Sequence, residues 1–151
     1  MENSNAVRHA DSGTVVVRGS AFGFEQNIVM GRHQLKSDEP VEVGGTDTGP
    51  TPYDLLLAAL GSCTSMTIAL YARRKQWPLK DITVRLNHSR IYAADCEECE
   101  TKDGMLYKIE RAITLGGPLT EEQRARLLEI ANKCPVHRTL TSEIKIESWL
   151  E

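Results

Sequence analysis

The chain has 151 residues, of which 40% are apolar and 26% charged, and it carries a net charge of −3 at pH 7. That length fits one domain able to bury roughly two-thirds of the surface its unfolded form exposes, and the composition is that of a globular protein rather than a disordered one. A slightly acidic chain lacks the dominant basic face that phosphate binding needs, which excludes nucleic acid as the expected partner.

The longest apolar run, around Leu55 to Leu60, meets Gly61-Ser62 before it approaches the ~20 residues that span a bilayer, so no membrane span is expected. The polar start MENSNAVRHADSG lacks an apolar signal core. Residues 1–12 are expected to be flexible, and the cytoplasm is the expected compartment. In that reducing setting four cysteines, at 63, 96, 99 and 134, read as reactive or metal-binding rather than as a disulfide framework.

In chain order, short β-rich runs at Thr14 to Arg18, Glu25 to Met30 and His33 to Lys36 are broken at glycines and predict an antiparallel meander. SDEP supplies Asp38 and Glu39 at a turn, either of which is a candidate to reach a site. VEVGGTDTGPTP then reads as a long polar loop without an element of its own, the kind that often carries function. A helix is expected from Thr51, whose hydroxyl caps the first turn, with Pro52 where its missing N–H costs nothing and Asp54 closing a capping box. Its apolar residues cover nearly the whole circumference to Tyr71, which predicts a helix enclosed on most sides, central or at a subunit interface. Arg73-Arg74-Lys75 suits the negative end of its dipole, and Pro78 forbids continuation.

DITVRLNHSRIY and MLYKIERAITLGG alternate with period two, the second placing Tyr107, Ile109, Arg111, Ile113 and Leu115 in one phase. They predict a long hairpin whose acidic tip, AADCEECETKDG, is exposed. A second helix opens on a Thr120/Gln123 capping box and repeats Leu127, Ile130, Ala131 and Cys134 at helical spacing, turning Cys134 inward. SEIKIESWL closes the chain as an expected strand. The order of elements predicts an α+β domain of antiparallel sheet covering two helices.

A buried cysteine is often a small apolar filler, but here two thiols sit at inward positions of two apolar helices, and Cys134 runs into Pro135. GGTDTGPTPYDLLLAALGSCTSMT together with LLEIANKCPVHRTL resembles the OsmC/Ohr family of osmotically induced and organic hydroperoxide resistance proteins, more closely its OsmC-like branch of standalone domains. The resemblance runs from about Val15 to Leu150. It implies an intertwined homodimer with two central helices wrapped by antiparallel sheet, and sites at the subunit interface. It further implies Cys63 as peroxidatic thiol, Cys134 as resolving partner, an organic hydroperoxide or other small electrophile as substrate, a dithiol reductant and no cofactor.

Peroxide attack needs a thiolate, so a buried Cys63 needs donors or a cation nearby. The resemblance implies an amino-terminal arginine for this, Arg18 or Arg32, and a glutamate after the helix-start proline. That position holds Tyr53, with Asp54 next to it; one residue along a helix turns a side chain by about 100°, so Asp54 does not simply replace the glutamate. Tyr53, Asp54, Leu56 and His137 are the candidate substrate contacts. His137 is read either as a structural histidine or as a group that lowers the thiol pKa. Cys96 and Cys99 form C-x-x-C among carboxylates that disfavour thiolates, and they read as a plain tip, a weak metal pair or a labile disulfide. Besides hydroperoxide reduction, two readings stay open: binding of a small ligand with little turnover, and a zinc-stabilised module through Cys96 and Cys99.

Overall fold

The computed structural model describes residues 13–151, so the flexibility expected over 1–12 lies outside the described residues. These residues fall into two compact units, one ending at Leu56 and one beginning at Leu57. The first is built on β1 (Val15–Gly19), β2 (Gln26–Met30) and β3 (His33–Ser37), an antiparallel meander in that spatial order. Its register sets Ile28 opposite both Val17 and Leu35, and Ile28 and Val29 are buried.

The loop that follows is more ordered than its composition predicts. Val41–Val43 form one turn of 3-10 helix, closed by Gly44 at φ 96° in the left-handed region that glycine tolerates. Asp38, 2% exposed, is its anchor. The carboxylate accepts from the amide and hydroxyl of Thr46 (3.1 and 2.7 Å), the amide and hydroxyl of Thr48 (3.2 and 2.9 Å) and the Glu39 amide (2.8 Å). The Thr46 hydroxyl bond, helped by the Glu39 and Thr48 donors and opposed by burial, holds the Asp38 carboxyl far below the usual carboxylate range. This buried carboxylate is thereby committed to holding its own loop.

Helix α1 (Pro52–Lys75) begins with the expected reciprocal cap, in which Thr51 Oγ1 accepts from the Asp54 amide and Asp54 Oδ2 from the Thr51 amide. It stops at Gln76, whose φ of 55° is left-handed, two residues before Pro78. One expectation needs correction: the apolar stretch continues past Gly61-Ser62, and the 24-residue helix is, among the described residues, the one long and apolar enough to cross a membrane. Within this chain the helix is covered along one face. Its buried residues, Leu60, Gly61, Thr64, Ile68 and Ala72, form one stripe at four-residue spacing, while Met66 (69%) and Leu70 (44%) stay exposed on other faces.

The stripe packs on the long hairpin. β4 (Asp81–Tyr92) and β5 (Met105–Gly116) pair along their whole length, with Leu86 opposite Arg111. A Cβ built on Gly61 would lie 2.7 Å from Leu86 Cδ1, so the glycine is where the helix backbone rests on the strand. Ile68 and Ala72 join Leu119, Leu127 and Ala131 in the core, flanked by Ile82, Ile113 and Leu115 from the hairpin. At the hairpin tip Cys96 and Cys99 are joined in a disulfide, which removes both as thiolate metal ligands in this state.

Helix α2 (Glu121–Ala131) carries the Thr120/Gln123 capping box as predicted, but it ends before Cys134. A separate short helix, α3 (Pro135–Leu140), follows and was not apparent from periodicity. Residues 143–151 form no strand. Ile144 and Ile146 alternate as a strand would, but they are 53% and 82% exposed and pair with no strand of this chain among the described residues. The α+β class stands, with antiparallel sheets and helices.

Candidate active site

Cys134 owes its place to the proline beside it. Pro135 opens α3 without an N–H of its own, so the first amides of that helix in need of an acceptor belong to Val136 and His137. The residue before a proline is held extended, and Cys134, at φ −58° and ψ 135°, turns its sulfur onto the helix end as N-cap. The His137 amide donates to Cys134 Sγ at 3.3 Å, and the residue is fully buried.

Cys63 lies in the middle of α1 and is partly exposed. Its thiol lies close enough to that of Cys134 for each to shift the other's ionisation, and the Val136 amide acts on both sulfurs. The two cysteines singled out from the sequence are therefore brought together. They differ electrostatically. Burial pushes the Cys63 thiol up, the Val136 amide opposes this, and the neighbouring Cys134 reinforces it. At Cys134 burial also acts upward, but the His137 amide, the Cys63 thiol, the Thr64 hydroxyl and the Val136 amide together bring it below the ordinary thiol value.

A residue that sequence reasoning missed supports this arrangement. Arg111, on β5, donates to Thr64 Oγ1 at 2.9 Å, to the Ala131 carbonyl at 3.4 Å and to Asn132 Oδ1 at 2.8 Å. Thr64 in turn donates to the Leu60 carbonyl at 2.6 Å and faces Cys134. One guanidinium therefore ties the hairpin to α1 and to the end of α2 around the thiol pair. The signal was a cation in the inward phase between Ile109 and Ile113.

His137 contributes its backbone amide to the sulfur. Burial, and then the charge of Arg111, lower the pKa of its imidazole. The ring lines a cavity of about 450 Å³ with Leu60, Tyr107, Ile109, Arg111 and Asn132. The remaining candidates lie in the first unit. Arg18 is exposed on β1, Arg32 is exposed in the β2–β3 turn, Tyr53 and Leu56 are 44% and 37% exposed on the first turns of α1, and Asp54 is held in the cap. Among the described residues no group of three or more His, Cys, Asp or Glu could hold a metal ion.

Several solved structures share this architecture. An osmotic stress induced and detoxification response protein from Psychrobacter arcticus aligns with TM-score 0.66 at 20% identity, over 88% of this chain and 91% of that one. An organic hydroperoxide resistance protein OsmC from Legionella pneumophila aligns with TM-score 0.62 at 19% identity, over 85% and 88%. An organic hydroperoxide resistance protein from Elizabethkingia anophelis, with thiocyanate bound, aligns with TM-score 0.61 at 17% identity, over 87% and 89%. At these identities the likeness is one of fold. No curated protein sequence matches significantly. The sequence profile described as OsmC-like protein matches residues 45–148, the span that holds both thiols, Arg111 and all three α-helices, with the meander of the first unit lying before it. The chain belongs to the OsmC-like family.

Proposed function

We propose that this protein reduces organic hydroperoxides with a Cys63/Cys134 thiol pair, as part of peroxide resistance. The observation that carries the reading is the proximity of the two thiols, one buried and capped by the His137 amide, the other partly open. Cys63 is the sulfur an oxidant can meet. As it attacks the distal peroxide oxygen, its proton is handed on through the Cys134 sulfur to the departing alkoxide, which leaves as the alcohol, and Cys63 becomes a sulfenic acid. Cys134 then attacks that sulfur, water departs, and a disulfide forms. An external dithiol returns the pair to thiols and completes the cycle. The organic hydroperoxide resistance proteins that share the fold support the substrate class.

The exposed apolar residues Met66 and Leu70 on α1 support a homodimer in which a second copy covers that helix. Membership of the OsmC-like family supports reading the chain as a soluble, cytoplasmic protein. Arg18 and Arg32 remain the proposed amino-terminal cations for the peroxide. A second reading, binding of a small apolar ligand with little turnover, is favoured by the cavity beside His137 and by Tyr53 in place of a glutamate. Cumene hydroperoxide consumption with dithiothreitol separates the two. The wild type is expected to turn over and Cys63→Ser to be inactive; a wild-type rate no higher than that of the variant rejects the peroxidase.

A further inference from the structure

The disulfide at the hairpin tip has no part in the chemistry above, and it is poorly suited to be a staple. Closing a loop of four residues constrains the unfolded chain little. The turn is moreover held without it. The Cys96 amide donates to the Ala93 carbonyl (3.1 Å), the Cys99 amide to the Cys96 carbonyl (3.4 Å), the Ala93 amide to the Gly104 carbonyl (2.8 Å) and Lys102 Nζ to the Glu97 carbonyl (3.1 Å). These bonds keep the two Cα atoms 5.4 Å apart, inside the range a disulfide spans, so the bond opens and closes without rebuilding the turn. Both cysteines are partly exposed.

We propose that Cys96 and Cys99 are a second two-electron redox site, whose dithiol form reduces the Cys63–Cys134 disulfide of another copy of the chain. This rests on the peroxidase reading above. The partner is another copy because of the register. Leu86 and Arg111 pair beside the thiols, whereas the tip begins beyond Tyr92 and Met105, six residues along the strand or about 20 Å away.

The electrostatics give the exchange a direction. Asp95, Glu97, Glu98 and Glu100 flank the tip cysteines in the sequence and oppose negative charge on them, which favours electron release from the dithiol. At the other site the His137 amide, at 3.3 Å from the sulfur, and the Val136 amide stabilise charge on Cys134, which makes it the better leaving group. One tip thiol, as its thiolate, attacks the accessible Cys63 sulfur. The Cys63–Cys134 bond breaks, Cys134 departs with the electron pair and takes up a proton, and a mixed disulfide joins Cys63 to the tip. The second tip thiol then loses its proton and attacks the tip sulfur of that bond. Cys63 is released as a thiol and the tip disulfide closes. Two electrons and two protons have moved, and an external dithiol restores the tip.

Reduced protein with all four thiols counted, freed of reductant under argon, is titrated with cumene hydroperoxide and mapped by differential alkylation and mass spectrometry. The wild type is expected to consume two equivalents per chain and the Cys96→Ser/Cys99→Ser double variant one. After the first equivalent the wild type should hold a tip disulfide with Cys63 and Cys134 free. Consumption that stops at one equivalent with the tip still a dithiol overturns the relay. So does tip oxidation at an unchanged rate in Cys63→Ser, because the tip would then react with peroxide by itself. No consumption by the double variant would remove the peroxidase reading, and the relay with it.

Discussion

Replacing Arg111 by methionine keeps the length of the stem and removes the guanidinium that ties β5 to α1 and α2. Three hydrogen bonds are lost, at 2.9, 3.4 and 2.8 Å. Not all are worth the same. Asn132 is exposed and finds water, the 3.4 Å contact is long, and the Ala131 carbonyl keeps the Cys134 amide at 3.3 Å. Thr64 keeps its bond to Leu60, so its buried hydroxyl is not orphaned. One good charge-assisted bond and two discounted ones amount to about 2 kcal/mol, which for a chain of this size lowers Tm by about 4–8 °C. The same change removes one of the two causes that depress His137, so the imidazole should titrate at higher pH while burial keeps it below its ordinary value. Because the folded histidine is depressed, its contribution to stability is complete above the unfolded pKa of about 6.5 and is lost as pH falls through the folded value. The variant should therefore lose less stability than the wild type over that acid range. Thermal unfolding followed by circular dichroism, with NMR titration of His137, measures both. A Tm within about 1 °C of wild type together with an unmoved His137 titration would refute the role assigned to Arg111.

Three further outcomes are expected. In Cys63→Ala the Cys134 thiol loses a donor and should ionise at higher pH, read from thiolate absorbance; an unchanged titration would mean that the two sulfurs are not coupled. Asp38→Asn should lower the urea midpoint at neutral pH, and the difference should shrink below about pH 3.9, because a depressed carboxyl contributes fully above its unfolded pKa and loses that contribution as pH falls. A gap that stays constant with pH would show that packing rather than charge is at work. Thr51→Ala should cost about 1 kcal/mol of stability through the lost cap on α1, and a neutral result in chemical denaturation would show that Pro52 alone sets the helix start.

What could be read from residues alone was whatever is written in local periodicity or capping chemistry. The alternation of Ile82, Val84 and Leu86 marked β4, and both capping boxes formed where the hydroxyl and its partner three residues on predicted them. The two cysteine motifs were legible as sequence and meet in space. The missed features depend on tertiary context. Six residues from Pro135 to Leu140 are too few to show a helical period, so α3 was invisible, and with it the capping role of Cys134. The all-round apolarity of α1 indicates how much surface the helix has to cover, not what covers it, and within one chain only the Leu60–Ala72 stripe is buried. Gly61 read only as a gap in the apolar run because its packing contact, Leu86, lies 25 positions away. Ile144 and Ile146 carry a strand pattern, but a strand also needs an edge to pair with.

Cys134 is at once the charge-bearing sulfur and the acceptor that begins the last helix. Once that atom is tied into a disulfide it carries no negative charge and accepts only weakly, so the amides of Val136 and His137 lose their best partner. Turnover should therefore loosen and re-anchor the carboxy-terminal segment with every cycle, which makes proteolytic nicking after Pro135 a gauge of how much of the protein is oxidised.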